Sequence, residues 1–309
     1  MIVVRSFATA CRIVDTSFSI EPLAITPVTA AWVHQHRVAV GVLRADLVDP
    51  DLSGNKYFKL LPNLRAAQDQ GYRTLLSFGG AWSNHLHALA LAGRRYGFNT
   101  IGIVRGEPAG PLTACLQDAR NAGMQLHFVS RSEYDRQTDR HWLQQLSGRF
   151  GPHYVIPAGG ANLAGVYGCQ RLLPAVHDYT HVVVACGTGT TLAGLVTSSQ
   201  VPVTGIQVLK GAGYLQREVA GILASHDLRP TCAWQVLDGW HCGGFARTTP
   251  ELLDTMYRFE DECGIPLEPV YSAKLVRAVA GLVGDGFFGD GARVLLVHGG
   301  GLQGRRSLA

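Results

Sequence analysis

Residues 181–195, HVVVACGTGTTLAGL, carry the pattern of a strand, a tight turn and a helix in direct succession. The β-branched run at the start is typical of a strand buried on both faces, and the apolar run after the glycines is typical of a helix. Similar glycine-rich turns follow apolar runs at residues 78–93, 156–165 and 297–304. This alternation predicts parallel sheets covered by helices, which is an α/β fold.

The number of predicted strands exceeds what one ordinary sheet holds. Strand patterns occur at residues 73–78, 100–104, 125–129, 154–156, 181–185, 204–209 and 293–297. Helical patterns lie between them at residues 84–96, 131–150, 162–177, 190–199, 214–225, 250–263 and 272–283, with a further helix opening at Pro111. Pro62 predicts that the helix after Lys56 breaks and restarts there. We therefore expect two α/β lobes that share a cleft.

The composition excludes several classes of function. A formal net charge of +4 over 309 residues, without a dense Lys/Arg run, disfavours binding to nucleic acid. The seven cysteines lack Cys-x-x-Cys spacing, which disfavours a disulfide framework or a zinc site and indicates reduced thiols in the cytoplasm. No apolar run reaches transmembrane length, and the N-terminus lacks the apolar core of a signal peptide. We expect no metal ion and no membrane partner.

Two of the glycine-rich turns have the donors that an anion needs. Glycines in the turn GTGTT (187–191) let backbone N–H groups point inward, and the threonine hydroxyls add further donors. The turn lacks the Gly-Lys-Ser/Thr ending of a P-loop and the final glycine of a dinucleotide fingerprint, which disfavours a nucleotide-binding module. The turn before residues 83–85, Ser-Asn-His, is a second candidate pocket. The simpler interpretation of both turns is an ordinary helix N-cap.

Lysine usage points to covalent chemistry. Only four of the 27 basic residues are lysines, and two of them, Lys56 and Lys59, lie three residues apart directly after Ser-Gly-Asn. Arginine serves a solvated surface or a phosphate at least as well as lysine, but it does not lose its proton near neutral pH. The sequence therefore predicts that at least one of these lysines is an amine nucleophile.

Six segments together carry a resemblance to a known family: SGNKYFKL, FGGAWSNHLHALA, PAGGANLAG, ACGTGTTLAGL, EPVYSAK and VHGGG. In this order they resemble the 1-aminocyclopropane-1-carboxylate (ACC) deaminase/D-cysteine desulfhydrase family of pyridoxal 5′-phosphate (PLP) enzymes, which have the tryptophan-synthase-like fold type II. The resemblance implies a small α/β domain at residues 57–168 and a large PLP-binding domain formed by residues 1–56 and 169–309, with PLP in the cleft between them. It also implies a homodimer.

The resemblance assigns roles to individual residues. Lys56 is the Schiff-base lysine, and Lys59 is a secondary lysine, for which a surface position or support of the helix is the alternative. Tyr271 faces the substrate and, with Lys56 and Ser83, carries the catalysis; a core tyrosine is the alternative. The remaining predicted contacts are to the substrate, by Ser83, Asn84, His85, Phe245 and Tyr271, and to the cofactor, by Asn55, Asn84, Gly187, Thr188, Gly189, Thr190, Thr191 and Ser272.

Three positions depart from the family pattern. Ser272 stands where the ACC-opening branch has a glutamate, and a neutral partner makes the cofactor a weaker electron sink. Phe245 and Gly299 stand where relatives often have a tyrosine and a threonine. The resemblance therefore favours α,β-elimination from a small D-cysteine-like amino acid, which yields pyruvate, ammonia and a thiol. Two alternatives stay open: ACC ring opening to 2-oxobutanoate and ammonia, and a PLP-binding homologue with weak or no turnover.

Overall fold

The computed structural model describes residues 22–52, 54–107, 110–174, 176–244 and 246–308. Two compact units divide them: one is Leu64–Ala158, and the other combines residues 22–63 with 159–308. The sequence placed these limits after residues 56 and 168. The first residues of the helix that carries Lys56 therefore belong to the larger unit, as does the whole helix that follows the turn at 156–165.

The described residues form ten strands and eleven α-helices. The strands are β1 Ile25–Pro27, β2 Ala39–Leu43, β3 Thr74–Gly79, β4 Asn99–Arg105, β5 Gln125–Val129, β6 Tyr154–Ile156, β7 His181–Cys186, β8 Val203–Gln207, β9 Trp234–Leu237 and β10 Arg293–Val297. The helices are α1 Ala31–His34, α2 Asn55–Asp69, α3 Asn84–Tyr96, α4 Ala114–Asn121, α5 Arg131–Tyr134, α6 Arg140–Phe150, α7 Leu163–Gln170, α8 Thr190–Val196, α9 Tyr214–Ser225, α10 Pro250–Cys263 and α11 Ser272–Gly284.

The larger unit is built on a six-stranded sheet in the order β1-β2-β10-β7-β8-β9. All neighbours are parallel except β1 and β2, which pair antiparallel at one edge. Alternate side chains of β10 enter opposite cores: Val294 and Leu296 pack with residues of α10 and α11, whereas Leu295 and Val297 pack with residues of α8 and α9. The continuous apolar run of this strand is thereby explained, because both of its faces are buried.

The smaller unit is built on a four-stranded parallel sheet in the order β5-β4-β3-β6. Leu76 and Phe78 of β3 pack against Trp142 and Leu146 of α6 in its core. The parallel α/β architecture predicted from the sequence is confirmed in both units. No helix of the described residues is long and apolar enough to cross a membrane.

Several element boundaries differ from the sequence-based prediction. The predicted helix at 131–150 is two helices, because Ser130 caps α5 with a capping box and Asp139 caps α6. Strands β1, β2 and β9 were not predicted. The expected break at Pro62 is also wrong, since α2 runs through this residue. A proline frees the carbonyl four residues earlier, and here Gly168 of α7 lies so near the Phe58 carbonyl that a Cβ would be 1.8 Å from its oxygen.

Candidate active site

The start of α2 is fixed against the turn that follows β10. Gly54 has a φ of +71°, and a Cβ there would lie 1.9 Å from the carbonyl oxygen of Gly299. The backbone N–H of Asn55 donates a 3.1 Å hydrogen bond to the same oxygen. Only glycine combines this left-handed conformation with so close an approach. Gly54 therefore sets the point where α2 begins, with Lys56 as its second residue.

Lys56 is the end of a short chain of side-chain hydrogen bonds. Its ammonium group donates to Oδ1 of Asn55 at 2.8 Å, and Nδ2 of Asn55 donates to the hydroxyl of Thr191 at 3.0 Å. Thr191 lies in the first turn of α8. The structure thus brings together three predicted site residues from two distant parts of the sequence.

The environment of Lys56 makes it a reactive amine. Burial and the nearby Lys59 ammonium lower the pKa of Lys56 to about 7, although Cys169 and Glu268 oppose the shift. With this pKa about half of the amines are neutral at pH 7, against about one in three thousand for an ordinary lysine. A neutral amine is the form that attacks a carbonyl or accepts a proton.

Lys59 is buried, with only 3% of its surface exposed, which excludes the surface interpretation. Burial lowers its pKa, and the thiols of Cys169 and Cys186 would oppose this shift only if they were ionised. Burial in turn raises the pKa of Cys186 to about 12 and that of Cys169 in the same direction, so both thiols are neutral. Neutral thiols do not balance an ammonium group, and an anion beside Lys59 would do so.

The turn 187–191 connects β7 with α8 and directly follows Cys186. Gly189 has a φ of +78°, and the hydroxyls of Thr188 and Thr190 lie 3.2 Å apart. Cys169 forms a hydrogen bond with Thr191 at the end of the turn, and Cys186 precedes Gly187 at its start. The two thiols near Lys59 therefore lie at the two ends of the turn. A buried lysine beside a turn rich in hydroxyl and N–H donors suits a phosphate group, whose charge would favour the protonated amine.

Tyr271 lies against the same turn. A Cβ on Gly187 would be 3.2 Å from the Tyr271 hydroxyl oxygen. Burial, followed by the charges of Glu268 and Cys186, raises the pKa of Tyr271 well above its usual range. Its hydroxyl therefore stays protonated and can donate a proton or a hydrogen bond.

Glu268 is a residue of this region that the sequence analysis missed. It is fully buried, and its carboxylate accepts hydrogen bonds of 2.6–2.8 Å from the backbone N–H groups of Val270, Tyr271 and Ser272. These are the donors that the start of α11 leaves unpaired. An acidic residue four positions before a helical pattern was the available signal.

The Ser272 hydroxyl is engaged by Glu268 as well. It accepts a 2.7 Å hydrogen bond from the Glu268 N–H, and it lies 3.2 Å from Oε1 of that residue. The contact of Ser272 with the cofactor therefore stays a prediction. Phe245 lies outside the described residues.

The Ser-Asn-His segment belongs to the smaller unit. Ser83 is the N-cap of α3, and its hydroxyl accepts a hydrogen bond from the Leu86 N–H, so the simpler interpretation holds for this residue. Asn84 is the first residue of the helix. His85 is buried, with Nε2 at 2.9 Å from the hydroxyl of Ser77 on β3. The substrate and cofactor contacts of these residues stay predictions.

No group of three or more His, Cys, Asp or Glu side chains within the described residues could hold a metal ion. The features that suit an organic cofactor are the partly buried Lys56 with its lowered pKa, the buried Lys59 and the donor-rich turn 187–191.

The comparison with known families agrees with this chemistry. A family model described as pyridoxal-phosphate dependent enzyme matches residues 30–300. The chain belongs to this family of enzymes. The resemblance noted in the sequence, its fold class and its cofactor are thereby confirmed.

Individual relatives narrow the similarity further. The bifunctional D-cysteine desulfhydrase/1-aminocyclopropane-1-carboxylate deaminase, mitochondrial, of Arabidopsis thaliana is 28% identical, over 85% of this chain and 72% of its own. A Thermotoga maritima protein with the provisional name 1-aminocyclopropane-1-carboxylate deaminase is 31% identical, over 85% of this chain and 88% of its own. A crystal structure of an ACC deaminase homologue matches with a TM-score of 0.80 at 24% identity, over 92% of this chain and 90% of that one.

Proposed function

We propose that the protein is a PLP-dependent lyase that catalyses α,β-elimination from a small D-cysteine-like amino acid, with pyruvate, ammonia and a thiol as products. The observation that carries the proposal is Lys56, an amine with a pKa of about 7 that is oriented by Asn55. The names of the relatives support a substrate of this class, since D-cysteine desulfhydrase activity is part of one of them.

The residues of the larger unit suit the cofactor. We infer that Lys56 is its covalent attachment point, and that Lys59 with the turn 187–191 binds its phosphate. Lys59 supplies the positive charge, and Thr188, Thr190 and the backbone of the turn supply donors. When bound, the cofactor supplies an electron sink for negative charge at the substrate Cα.

The protein's own groups account for the proton movements. With the substrate and the cofactor bound, the amine of Lys56 would accept the proton from the substrate Cα, because about half of such amines are neutral near pH 7. The Asn55 amide, held by Thr191, keeps Nζ in place. Tyr271 would donate a hydrogen bond to the departing thiolate or support Lys56, and the proton that Lys56 has accepted would pass to the thiolate, which returns Lys56 to its neutral form. We infer that Ser83, Asn84 and His85 hold the substrate carboxylate and the cofactor ring, as the resemblance implies.

ACC ring opening is the second candidate, and the names of the relatives favour it as well. The neutral Ser272, in place of the glutamate of the ACC-opening branch, is the reason to rank it lower. The sequence resemblance also supports a homodimer, which light scattering of the purified protein would test. The cysteine pattern supports a cytoplasmic location, which fractionation of the source cells would test.

The decisive experiment is a visible absorption spectrum before and after addition of D-cysteine, with pyruvate measured in parallel. We expect a band from lysine-bound cofactor that shifts while pyruvate accumulates, and Lys56→Ala should lose both. A shift without pyruvate would favour a homologue without turnover, and formation of 2-oxobutanoate from ACC would favour ring opening. Absence of the band after addition of PLP would refute the proposal.

A further inference from the structure

His298 is a buried histidine, only 2% exposed, that the proposed chemistry does not use. It is the first residue after β10, and its Nε2 lies 2.8 Å from the carbonyl oxygen of Pro266. Its Nδ1 accepts a 3.1 Å hydrogen bond from the backbone N–H of Gly300. A carbonyl oxygen only accepts and an N–H group only donates, so the ring proton is on Nε2 and both nitrogens have a partner. The ring is therefore held in one orientation.

The turn at residues 298–301 receives the start of α2. The carbonyl of Gly299 in this turn accepts the 3.1 Å hydrogen bond from the Asn55 N–H. The bond from the Gly300 N–H to the ring of His298 closes the turn across Gly299. A side chain that binds the N–H two residues further on fixes the backbone between them. His298 therefore determines where the Gly299 carbonyl points.

A buried ion pair supports the neighbouring strand end in the same way. Strand β2 pairs parallel with β10, and directly after it the carbonyl of Ala45 accepts a 2.9 Å hydrogen bond from the Gly54 N–H. The residues on either side of Ala45 are Arg44 and Asp46, which form a buried ion pair at 2.7 Å. Oδ1 of Asp46 lies 3.7 Å from Nδ1 of His298. Buried polar side chains therefore support both of the adjacent strand ends between which α2 begins.

The position of the Asn55 backbone matters for Lys56. The N–H of Asn55 is bound by the Gly299 carbonyl, and its side-chain Oδ1 accepts the 2.8 Å hydrogen bond from Nζ of Lys56. A shift of the Asn55 backbone therefore moves the acceptor that orients the lysine. Because a misplacement of about 1 Å can slow a reaction about 100-fold, the group that fixes this backbone affects the chemistry of Lys56.

We propose that His298 is a positioning residue for Lys56. It fixes the Gly299 carbonyl that holds the backbone of Asn55, and the side chain of Asn55 orients the lysine. The decisive contact is that of Nδ1 with the Gly300 N–H, whereas Nε2 keeps the ring in place. The consequence for catalysis rests on the proposed function, whereas the fixation of Asn55 does not.

Two substitutions of His298 separate the roles of its two nitrogens. An asparagine places its amide oxygen near the position of Nδ1 and can accept from the N–H of Gly300, as asparagine does in turns. A glutamine is closer to histidine in size and reaches the position of Nε2, so it keeps the contact with Pro266 and loses that with Gly300. We expect His298→Asn to resemble wild type more closely than His298→Gln. Packing alone would give the reverse order.

Hydrogen exchange of the Asn55 N–H in the cofactor-loaded protein, resolved by fragment-ion mass spectrometry, measures the fixation without any substrate. In His298→Gln we expect this N–H to exchange about tenfold faster than in wild type, with the N–H of the buried Ile206 as the internal reference. In His298→Asn the rate should stay within about threefold of wild type. His226→Gln, at an exposed histidine, is the matched control and should equal wild type.

Several outcomes of the exchange measurement would overturn the proposal. Equal exchange at Asn55 in His298→Gln and wild type would do so, and so would an equal acceleration at Asn55 and Ile206, which would show a general loss of stability. If His298→Gln does not fold, His298→Asn decides alone: exchange at Asn55 about tenfold faster than in wild type would refute the role of Nδ1.

Steady-state kinetics test the consequence for Lys56. We expect His298→Gln to lower kcat for D-cysteine about tenfold while KM stays within about twofold, because the substrate contacts proposed above lie elsewhere. His298→Asn should recover most of this loss. A raised KM with an unchanged kcat would refute an action through Lys56. A wild-type enzyme that does not act on D-cysteine would refute the proposed function alone, since the exchange measurement needs no substrate.

Discussion

Replacement of Lys59 should change the acidity of Lys56. Lys59→Gln keeps a polar side chain but removes the positive charge that helps to lower the pKa of Lys56. We therefore expect the pKa of Lys56 to rise. The measurement uses the cofactor-free protein, because the charge of a bound phosphate would also change this pKa.

The size of the rise follows from the spacing on α2. Residues three apart on a helix face the same side, with Cβ atoms about 5–6 Å apart. Two unit charges about 6 Å apart repel by about 0.7 kcal/mol in water and by about 2.8 kcal/mol at an effective dielectric constant of about 20. Since about 1.4 kcal/mol corresponds to one pKa unit, the rise should be about half a unit to two units. The midpoint would then move from about 7 to about 8.

Trace acetylation of Lys56 between about pH 5 and pH 10, quantified by peptide mass spectrometry, measures this midpoint. Lys210→Gln, at an exposed lysine, is the matched control and should leave the midpoint at that of wild type. A midpoint in Lys59→Gln that is equal to or below the wild-type value would refute the reasoning, because burial alone would then account for the low pKa.

Three further variants test the remaining geometry. Gly54→Ala should lower the free energy of unfolding by about 3 kcal/mol or more and release the cofactor band, since its Cβ would collide with Gly299; a normal Tm would contradict this. Tyr271→Phe should lower kcat for D-cysteine about 100-fold with cofactor binding retained, as expected for loss of the hydroxyl that assists departure of the thiolate; an unchanged kcat would remove Tyr271 from the mechanism. Ser83→Ala should lower the free energy of unfolding, measured by chemical denaturation, by about 1 kcal/mol through loss of the N-cap. A raised KM in this variant would support the predicted contact of Ser83 with the substrate carboxylate.

The fold was largely predictable because its strands are buried on both faces. Strands β7 and β10 are apolar after their first residue, and each ends at a glycine-rich turn, so their position and type follow from local sequence. Helix α3 was predicted with its observed bounds because Ser83 starts it and Gly97 ends it with a φ of +76°. The unpredicted strand β1 is only three residues long and pairs antiparallel at a sheet edge, where the local pattern is weak.

The parts of the candidate site that consist of consecutive residues were predictable from the sequence, because a reactive lysine and a tight turn each require particular neighbours. Gly54, Asn55 and Lys56 are consecutive, and the turn 187–191 is continuous. The role of Glu268 was missed, because an acidic residue four positions before a helical pattern is a weak signal: in the sequence it looks like any other acid.

The sequence by itself determined that this chain alternates strands and helices, and that a lysine-poor protein keeps two lysines beside a Ser-Gly-Asn turn. These are local properties, set by side-chain periodicity and by the φ values that glycine allows. Only the tertiary structure decided that three of the four lysines are buried or partly buried in one unit. Asn55 accepts from Lys56, neutral thiols lie near Lys59, and Lys274 donates to the Gly244 carbonyl. Burial depends on residues that are distant in the chain, and burial is the largest cause that lowers the pKa of Lys56 to about 7.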